Sequence, residues 1–325
     1  MTNDNYNEDI MGYEEIIKEE NIEKLDLTEK IKNIQGLKCL FLDKFKNIKE
    51  LNLSFNNLSD LNIFEGADLA KLNLVNLELL NLEYNKISNI DFLINVDFPK
   101  LETLNLSHNE ISKISSLSKV NFPNLKTLNL SYNKIQKLKI LSQVNFDNLE
   151  ILNLYHNQIS DISIIEQMKF KELKELNLGD NKISEINKLE FAPFEKLEIL
   201  DLEYNSISDI SILQKVKFSH LKELYFNFNK ISDISELKKV NFNELKKLYF
   251  NWNEISDIKV LSSVQFPKIE TMCFISNKIK NISDEILEKF KGEEFKELKE
   301  FDLSCNKFSE KDIKDIKAKN TKIKL

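Results

Sequence analysis

The chain has 325 residues with a formal net charge of −7, and 42% of them are hydrophobic, enough to bury a sizeable core. Only 5 are glycine and 4 are proline, where average usage would give about 23 and about 16; this disfavours enzymes that depend on nucleotide loops or nucleophile elbows, which use glycine at positive φ or at close backbone approach. All 46 basic residues are lysine and the sequence pI is near 5.4, so the bidentate guanidinium fork is absent and nucleic acid is a poor partner.

In chain order, the opening MTNDNYNEDIMGYEEIIKEE is acidic, with no basic stretch leading into an apolar core, so no signal peptide is expected. Ile10, Tyr13 and Ile17 fall on one face of a short helix, which predicts an N-terminal cap over residues 1–21. A first, degenerate unit begins at Ile22, Leu25 and Leu27. From there a pattern recurs: Leu101-x-x-Leu104-x-Leu106-x-x-Asn109-x-Ile111 returns from Leu125, Leu149, Leu173, Leu197, Leu221, Leu245 and Ile269, and earlier from Ile48 and Leu77 and later from Leu298. From Asn85 to Asn277 the asparagines recur every 24 residues. A fixed period of this kind marks a repeat architecture, in which each unit buries its apolar face only against its neighbours.

The two leucines of Leu-x-Leu point the same way from a short strand, so stacked strands at the roughly 4.8 Å spacing of a parallel sheet build a continuous core. The asparagine after the strand is expected to make the tight turn, with its side-chain amide bonding neighbouring units as a ladder. The second half of each unit runs in steps of three, as in Ile207-Ile210-Leu213-Val216-Phe218, which suits 3-10 or short α turns. Asp233-x-x-Glu236 resembles an N-terminal cap. Phe242 and its equivalents are expected to close the core, and Pro99, Pro123 and Pro267 to hold the residue before them extended. Near the end, Ile282 to Phe290 predicts a longer helix begun by Ser283 or Asp284 and stopped by Gly292. Ile313 and Ile316 share a face of a final short helix, predicting a C-terminal cap over 309–325.

The LxxLxLxxNxI pattern resembles the leucine-rich repeat family. That resemblance implies an α/β fold class: a curved horseshoe solenoid of about twelve coils over residues 22–308, with a concave parallel sheet, short 3-10 or α segments on the convex side, and one structural domain including both caps. Units ending N-x-I-S-D-I, as at Asn205–Ile210, are similar to those of cytosolic phosphatase-regulatory proteins and of internalin-type adhesins, although both use repeats nearer 22 residues.

The strand positions between the leucines would then face outward as a display surface. The central column reads Asn52, Asn81, Asn105, Asn129, Asn153 and Asn177, then changes to Asp201, Tyr225, Tyr249, Cys273 and Asp302. The column before the ladder asparagine reads Phe55, Tyr84, His108, Tyr132, His156, Asp180, Tyr204, Phe228, Trp252, Ser276 and Cys305. Tyr204, Tyr225, Phe228, Tyr249 and Trp252 therefore cluster, with Asn227 and Asn251 among them. Either these rings form a binding patch, since exposed aromatics supply contact area at small entropy cost, or they only stack on one another. The outward columns hold Glu50, Glu83, Glu175, Asp201, Glu203, Glu223, Glu300 and Asp302 against one lysine, Lys247, a charge that would attract a basic partner.

An enzyme is not expected. His108 and His156 stand two strands apart, about 10 Å, with Tyr132 between them, too far to share a metal ion, and His220 sits at a junction without similar neighbours. Cys273 should face outward without an adjacent histidine to activate it. Asp201 and Glu203 lack a pocket to flank a sugar ring. No catalytic residue, metal or cofactor is expected. The function expected is a protein-interaction scaffold binding a basic protein or peptide through Tyr204, Tyr225, Phe228, Tyr249, Trp252, Asp201, Glu203, Glu223, Asn227 and Asn251. The alternatives are a recognition or regulatory subunit of a phosphatase or ubiquitin-ligase complex, or an adhesin or effector of internalin type. Cys39, Cys273 and Cys305, odd in number and far apart, fit a reducing compartment. With no run of 18 apolar residues and no lipidation motif, a cytoplasmic monomer without membrane contact is expected.

Overall fold

Because a strand buried on one face needs only its own apolar column and a neighbour of the same kind, each repeat contributes a strand of three residues, and the C-terminal segment adds one of two. In the computed structural model, which describes residues 9–16, 18, 21–59, 61, 73–319 and 323–325, these are β1 (Lys24–Asp26), β2 (Glu50–Asn52), β3 (Leu79–Asn81), β4 (Thr103–Asn105), β5 (Thr127–Asn129), β6 (Ile151–Asn153), β7 (Glu175–Asn177), β8 (Ile199–Asp201), β9 (Glu223–Tyr225), β10 (Lys247–Tyr249), β11 (Thr271–Cys273), β12 (Glu300–Asp302) and β13 (Ile323–Lys324). The chain divides into two compact units, Met1–Gln158 and Ile159–Leu325. In the first, β1 to β6 pair in sequence order, all parallel, with Leu51 opposite Leu80 and Leu104 opposite Leu128. In the second, β7 to β13 do the same, with Leu200 opposite Leu224. Each unit is an open leucine-rich repeat solenoid.

The core is what the period predicts. Ile22, Leu25 and Leu27 of the degenerate first coil are buried, as are the leucine and isoleucine columns that follow. Phe122, Phe146, Phe170, Phe194, Phe218, Phe242 and Phe266 close the coils and are at most 1% exposed. On the side away from the strands, short 3-10 segments such as Ser115–Ser118, Ser211–Gln214 and Ser235–Lys239 replace full helices. Their starts differ from expectation. The residue at the N-terminus is Ile234, without a side-chain cap; the residue before it, Asp233, accepts the Ser235 N–H at 2.7 Å in an Asx turn, and Glu236 pairs with Lys239 at 2.7 Å rather than reaching back. A 3-10 segment of one turn leaves too few free N–H groups for a capping box, so the acceptor moves one residue upstream.

The asparagine ladder forms as expected, but the tight turn is made by its neighbour. Asn109 Nδ2 donates to Leu82 O of the preceding coil at 2.9 Å and to Leu106 O of its own at 3.1 Å, while its Oδ1 accepts the Ile87 N–H at 2.9 Å. Asn56, Asn133, Asn205, Asn229, Asn253 and Asn277 repeat this. No ladder asparagine has positive φ. That conformation belongs to the residue before it: Phe55, Tyr84, His108, Tyr132, His156, Asp180, Tyr204, Phe228, Trp252, Ser276 and Cys305 lie at φ between 50° and 59°. A side chain there costs roughly 1–2 kcal/mol, and it persists because backbone N–H groups on both sides are fixed by the next coil, as with Tyr132 N to Tyr155 O at 2.8 Å.

The ends are closed differently from the middle. Ile10 is buried and bridges to Ile31 in antiparallel fashion. A Cβ on Gly36 would stand 2.8 Å from Ile10 Cγ1 and 3.1 Å from the Asp9 carbonyl oxygen, so glycine is required for that approach. The helix α1 (Tyr13–Ile16) is a single turn, and Ile17 lies outside the described residues. The longer helix near the C-terminus is α2 (Asp284–Lys289), and Ser283 accepts the Ile286 N–H at its start. Gly292 does not stop it in a left-handed turn: its φ is −79° and it opens a 3-10 turn at Glu293–Phe295. Beyond β12, α3 (Glu310–Lys319) buries Ile316 while Ile313 stays half-exposed, and β13 adds a strand that the repeat count does not contain.

Candidate functional site

The outward face of the strands is set by the alternation of Leu-x-Leu. The central asparagines are not free for a ligand. Asn105 Oδ1 accepts the Ser107 N–H at 3.0 Å, Asn129 does so for Ser131 and Asn177 for Gly179, each locking the end of its strand. Asp201 makes the same bond to Glu203 N at 2.9 Å. Where the column turns to tyrosine this bond is lost, and the residue two places on replaces it across coils. Asn227 Oδ1 accepts the Asn251 N–H at 2.9 Å, and Asn251 Oδ1 accepts the Ile275 N–H at 2.8 Å. Asn227 and Asn251 therefore lie among the rings, as the sequence places them, with their carbonyl oxygens committed to the frame.

The predicted aromatic residues do come together in the second unit. Tyr204 stacks on Phe228 with centroids 4.1 Å apart, and Phe228 on Trp252 at 5.4 Å; Tyr225 and Tyr249 stack at 5.1 Å in the adjacent column. Stacking and display are thus not alternatives. Trp252 ends its row beside Ser276, covers Phe228 with one face only, and remains 55% exposed. A longer row went unrecognised in the sequence: Phe55, Tyr84, His108, Tyr132 and His156 of the first unit stack in turn at 4.3, 3.9, 4.0 and 4.6 Å. The signal was present in the column before the ladder asparagine. Each interior ring of that row has both faces covered and offers edges only, which makes it a brace. Burial holds the His108 pKa below the usual histidine value, against the pull of Glu83.

The outward face carries less unbalanced negative charge than the carboxylate count suggests. Glu50 pairs with Lys24 at 2.6 Å, Glu223 with Lys247 at 2.9 Å, and Glu300 with Lys324. These pairs join side chains of adjacent coils, a relation invisible along the chain. Glu223 also accepts the Tyr225 hydroxyl, and burial together with that bond raises the Tyr225 pKa. Among the described residues no lysine pairs with Glu175, Asp201 or Glu203, and these three share the second unit. Glu203 accepts the Asn227 amide at 3.1 Å. Asp201 is pushed up to about 7 by burial, with Glu203 and Glu175 adding to the shift, and Glu175 is raised by burial and by Glu223.

The catalytic candidates are dispersed. Tyr132 sits between His108 and His156, and His220 Nδ1 lies 3.0 Å from the Glu195 carbonyl oxygen, tying a turn as Asn124 does to Pro99 at 2.7 Å. Cys273 does not face solvent as expected. It is 5% exposed beside the strands that the C-terminal segment completes, and burial pushes its thiol up to about 12, which leaves almost no thiolate near neutral pH.

The comparisons agree with the geometry. The family described as Leucine Rich repeats (2 copies) matches residues 99–143, 147–191 and 195–239, and that described as Leucine Rich repeat matches 46–61. Among solved structures, an internalin (inlF) of Listeria monocytogenes is 27% identical with a TM-score of 0.65, over 89% of this chain and 82% of that one. A leucine-rich repeat protein of Leptospira interrogans is 24% identical with a TM-score of 0.65, over 87% and 73%. A chain of the octameric complex of Latrophilin 3, Unc5D and FLRT2 is 20% identical with a TM-score of 0.66, over 84% and 80%. The last two show the fold alone. No protein of curated function matches the sequence. Repeat pattern, parallel ladder and the matches over these residues together give the chain the leucine-rich repeat fold.

Proposed function

We propose that the chain is a protein-interaction scaffold, without catalytic activity of its own, whose outward strand face in the second unit binds a partner protein or peptide with a basic surface. The observation that carries this reading is Asp201. Six other coils place asparagine in its column, and Asp201 makes the same backbone bond as they do. Partial burial of its charge adds a cost to the fold that a hydrogen bond from Asn177 offsets only in part, and it stands beside Glu175 and Glu203, which also lack a lysine. Trp252 offers a rigid, open indole face for a cationic or apolar anchor. Tyr204, Tyr225, Phe228 and Tyr249 brace that patch, and Glu223, Asn227 and Asn251 hold it in place. We further infer a monomer in the reducing cytoplasm, on free cysteines that are widely spaced; no helix among the described residues is long and apolar enough to cross a membrane.

The test is affinity purification with mass spectrometry using the wild type, Trp252→Ala and Asp201→Asn side by side. A partner retained by the wild type should be lost at least tenfold by each variant, at unchanged far-UV circular dichroism. Equal retention by both variants refutes the site. A second reading, an adhesin or effector of the internalin type, is favoured by the 27% likeness to the Listeria protein. Fractionation and surface protease accessibility in the source cell separate the two, and a chain held wholly inside ends the second reading.

A further inference from the structure

The side of the coils away from the strands carries its own departure from the repeat. Four residues beyond the ladder asparagine, Asn89, Asp161, Asp209, Asp233 and Asp257 each accept the N–H two residues on, at 2.7–2.8 Å. In the two adjacent coils that begin at Leu101 and Leu125 the same position holds Lys113 and Lys137. An ammonium group cannot accept a hydrogen bond, so both coils forgo the turn-locking bond in favour of positive charge.

These two coils border a groove of about 520 Å³ within the first unit. Its rim holds Lys113, Lys137 and Lys139, its floor includes Ile114 and Ile140, and no carboxylate lines it. All three lysines are exposed and none makes an ion pair among the described residues. The contrast is a groove of about 590 Å³ in the second unit, where Asp233, Asp257 and Glu285 balance Lys238 and Lys259. On a chain of net charge −7, a cationic rim over an apolar floor is a local inversion.

We propose that this groove docks an acidic segment of a partner protein, with carboxylates against Lys113, Lys137 and Lys139 and an aliphatic or aromatic side chain on Ile114 and Ile140. Charge complementarity selects the occupant, and the apolar floor distinguishes a peptide from a free anion. No aromatic ring lines the groove on which a base would stack, which disfavours a nucleic acid strand. The site is separate from the strand face proposed above and takes a partner of opposite charge.

The experiment uses the full chain and an immobilised library of heptapeptides holding four glutamates and three residues drawn from Leu, Ile, Phe and Tyr, with a matched library in which lysine replaces glutamate. The wild type should bind members of the first library at least tenfold better than any of the second, and 0.5 M NaCl should weaken binding. The variant K113D/K137D is decisive because it restores both Asx acceptors. It should unfold at a higher temperature than the wild type while losing at least tenfold in peptide binding; a purely structural lysine pair would not move the two readouts in opposite directions. Lys113→Gln with Lys137→Gln should lose binding without the gain in stability. The proposal is overturned by equal binding to both libraries, by no binding to the acidic one, or by unchanged binding in K113D/K137D. It is also overturned if a polyglutamate peptide without apolar residues binds as well, or if 10 mM inorganic phosphate or a 10-nucleotide single strand displaces the peptide completely.

Discussion

Replacing Asn133 with alanine tests how much of the fold the ladder holds. Its Oδ1 is the acceptor for the buried Ile111 N–H at 2.9 Å, and its Nδ2 donates to Leu106 O, Leu130 O and Ser131 O at 2.9, 3.1 and 3.1 Å. The carbonyls are not abandoned by its removal, because Leu106 O keeps Asn109 and Leu130 O keeps Asn157. The Ile111 N–H has no such reserve. Leaving one buried donor unpaired costs about 1–3 kcal/mol, and weakening three carbonyls by one bond each, all of which keep another donor, adds about 1 kcal/mol, so Asn133→Ala should cost about 2–4 kcal/mol. Asn133→Asp should be no milder, since it keeps the acceptor but sets a carboxylate against three carbonyl oxygens. The control is Asn124→Ala, which removes one exposed bond to Pro99 O and should cost less than about 1 kcal/mol. Urea titration followed by far-UV circular dichroism gives the three values, and hydrogen exchange at the Ile111 amide gives the local one. A loss below about 1 kcal/mol for Asn133→Ala, or retained protection at Ile111, would refute the view that the ladder carries the bend.

Asp201→Asn should raise stability above neutral pH and lose its advantage in acid. The folded carboxyl at about 7 exceeds its ordinary value of 3.8, so the native state binds more protons between those limits and wild-type stability falls as pH rises through them; an upper bound is about 4 kcal/mol at pH 8. Melting curves of the two proteins at pH 4 and pH 8 check the sign, and a wild type that gains on Asp201→Asn with rising pH would contradict it. At the strained column, Tyr132→Gly trades ring contacts for relief of the left-handed backbone and should change stability by less than Tyr132→Val, whose branched Cβ sits badly at φ 52°; denaturant midpoints of both variants measure this. A thiol reagent should label Cys305 rapidly in the folded protein and reach the buried Cys39 and Cys273 only on unfolding. Fast labelling of two or more thiols would show that the C-terminal strands do not protect Cys273.

Within the solenoid, the leucine columns, the closing phenylalanines and the asparagine ladder were all legible in the sequence, because each is a local periodic demand that every coil repeats. The turn itself was misplaced by one residue. Sequence favours asparagine for a left-handed conformation, but the ladder needs that asparagine inside the core, so the strain falls on the ring before it. The clustering of Tyr204, Phe228 and Trp252 also followed from the 24-residue interval, whereas the neutralising of Glu50, Glu223 and Glu300 by Lys24, Lys247 and Lys324 did not, because it depends on which rotamers long side chains adopt across coils. Gly292 misled because a glycine after a helix fits either a left-handed stop or the start of the next turn.

The scarcity of glycine and proline follows from one bend repeated along the chain, and the sequence alone determined the period of that bend and the residues buried by it, since period and apolar spacing are properties of a single coil. Tertiary structure decided what neighbouring coils do to each other: which carboxylates keep their charge, which rings retain an open face, that Cys273 is covered, and that Lys113 and Lys137 share a groove. Those outcomes depend on contacts between residues 24 or more apart, whose energies are set by burial and geometry rather than by residue type.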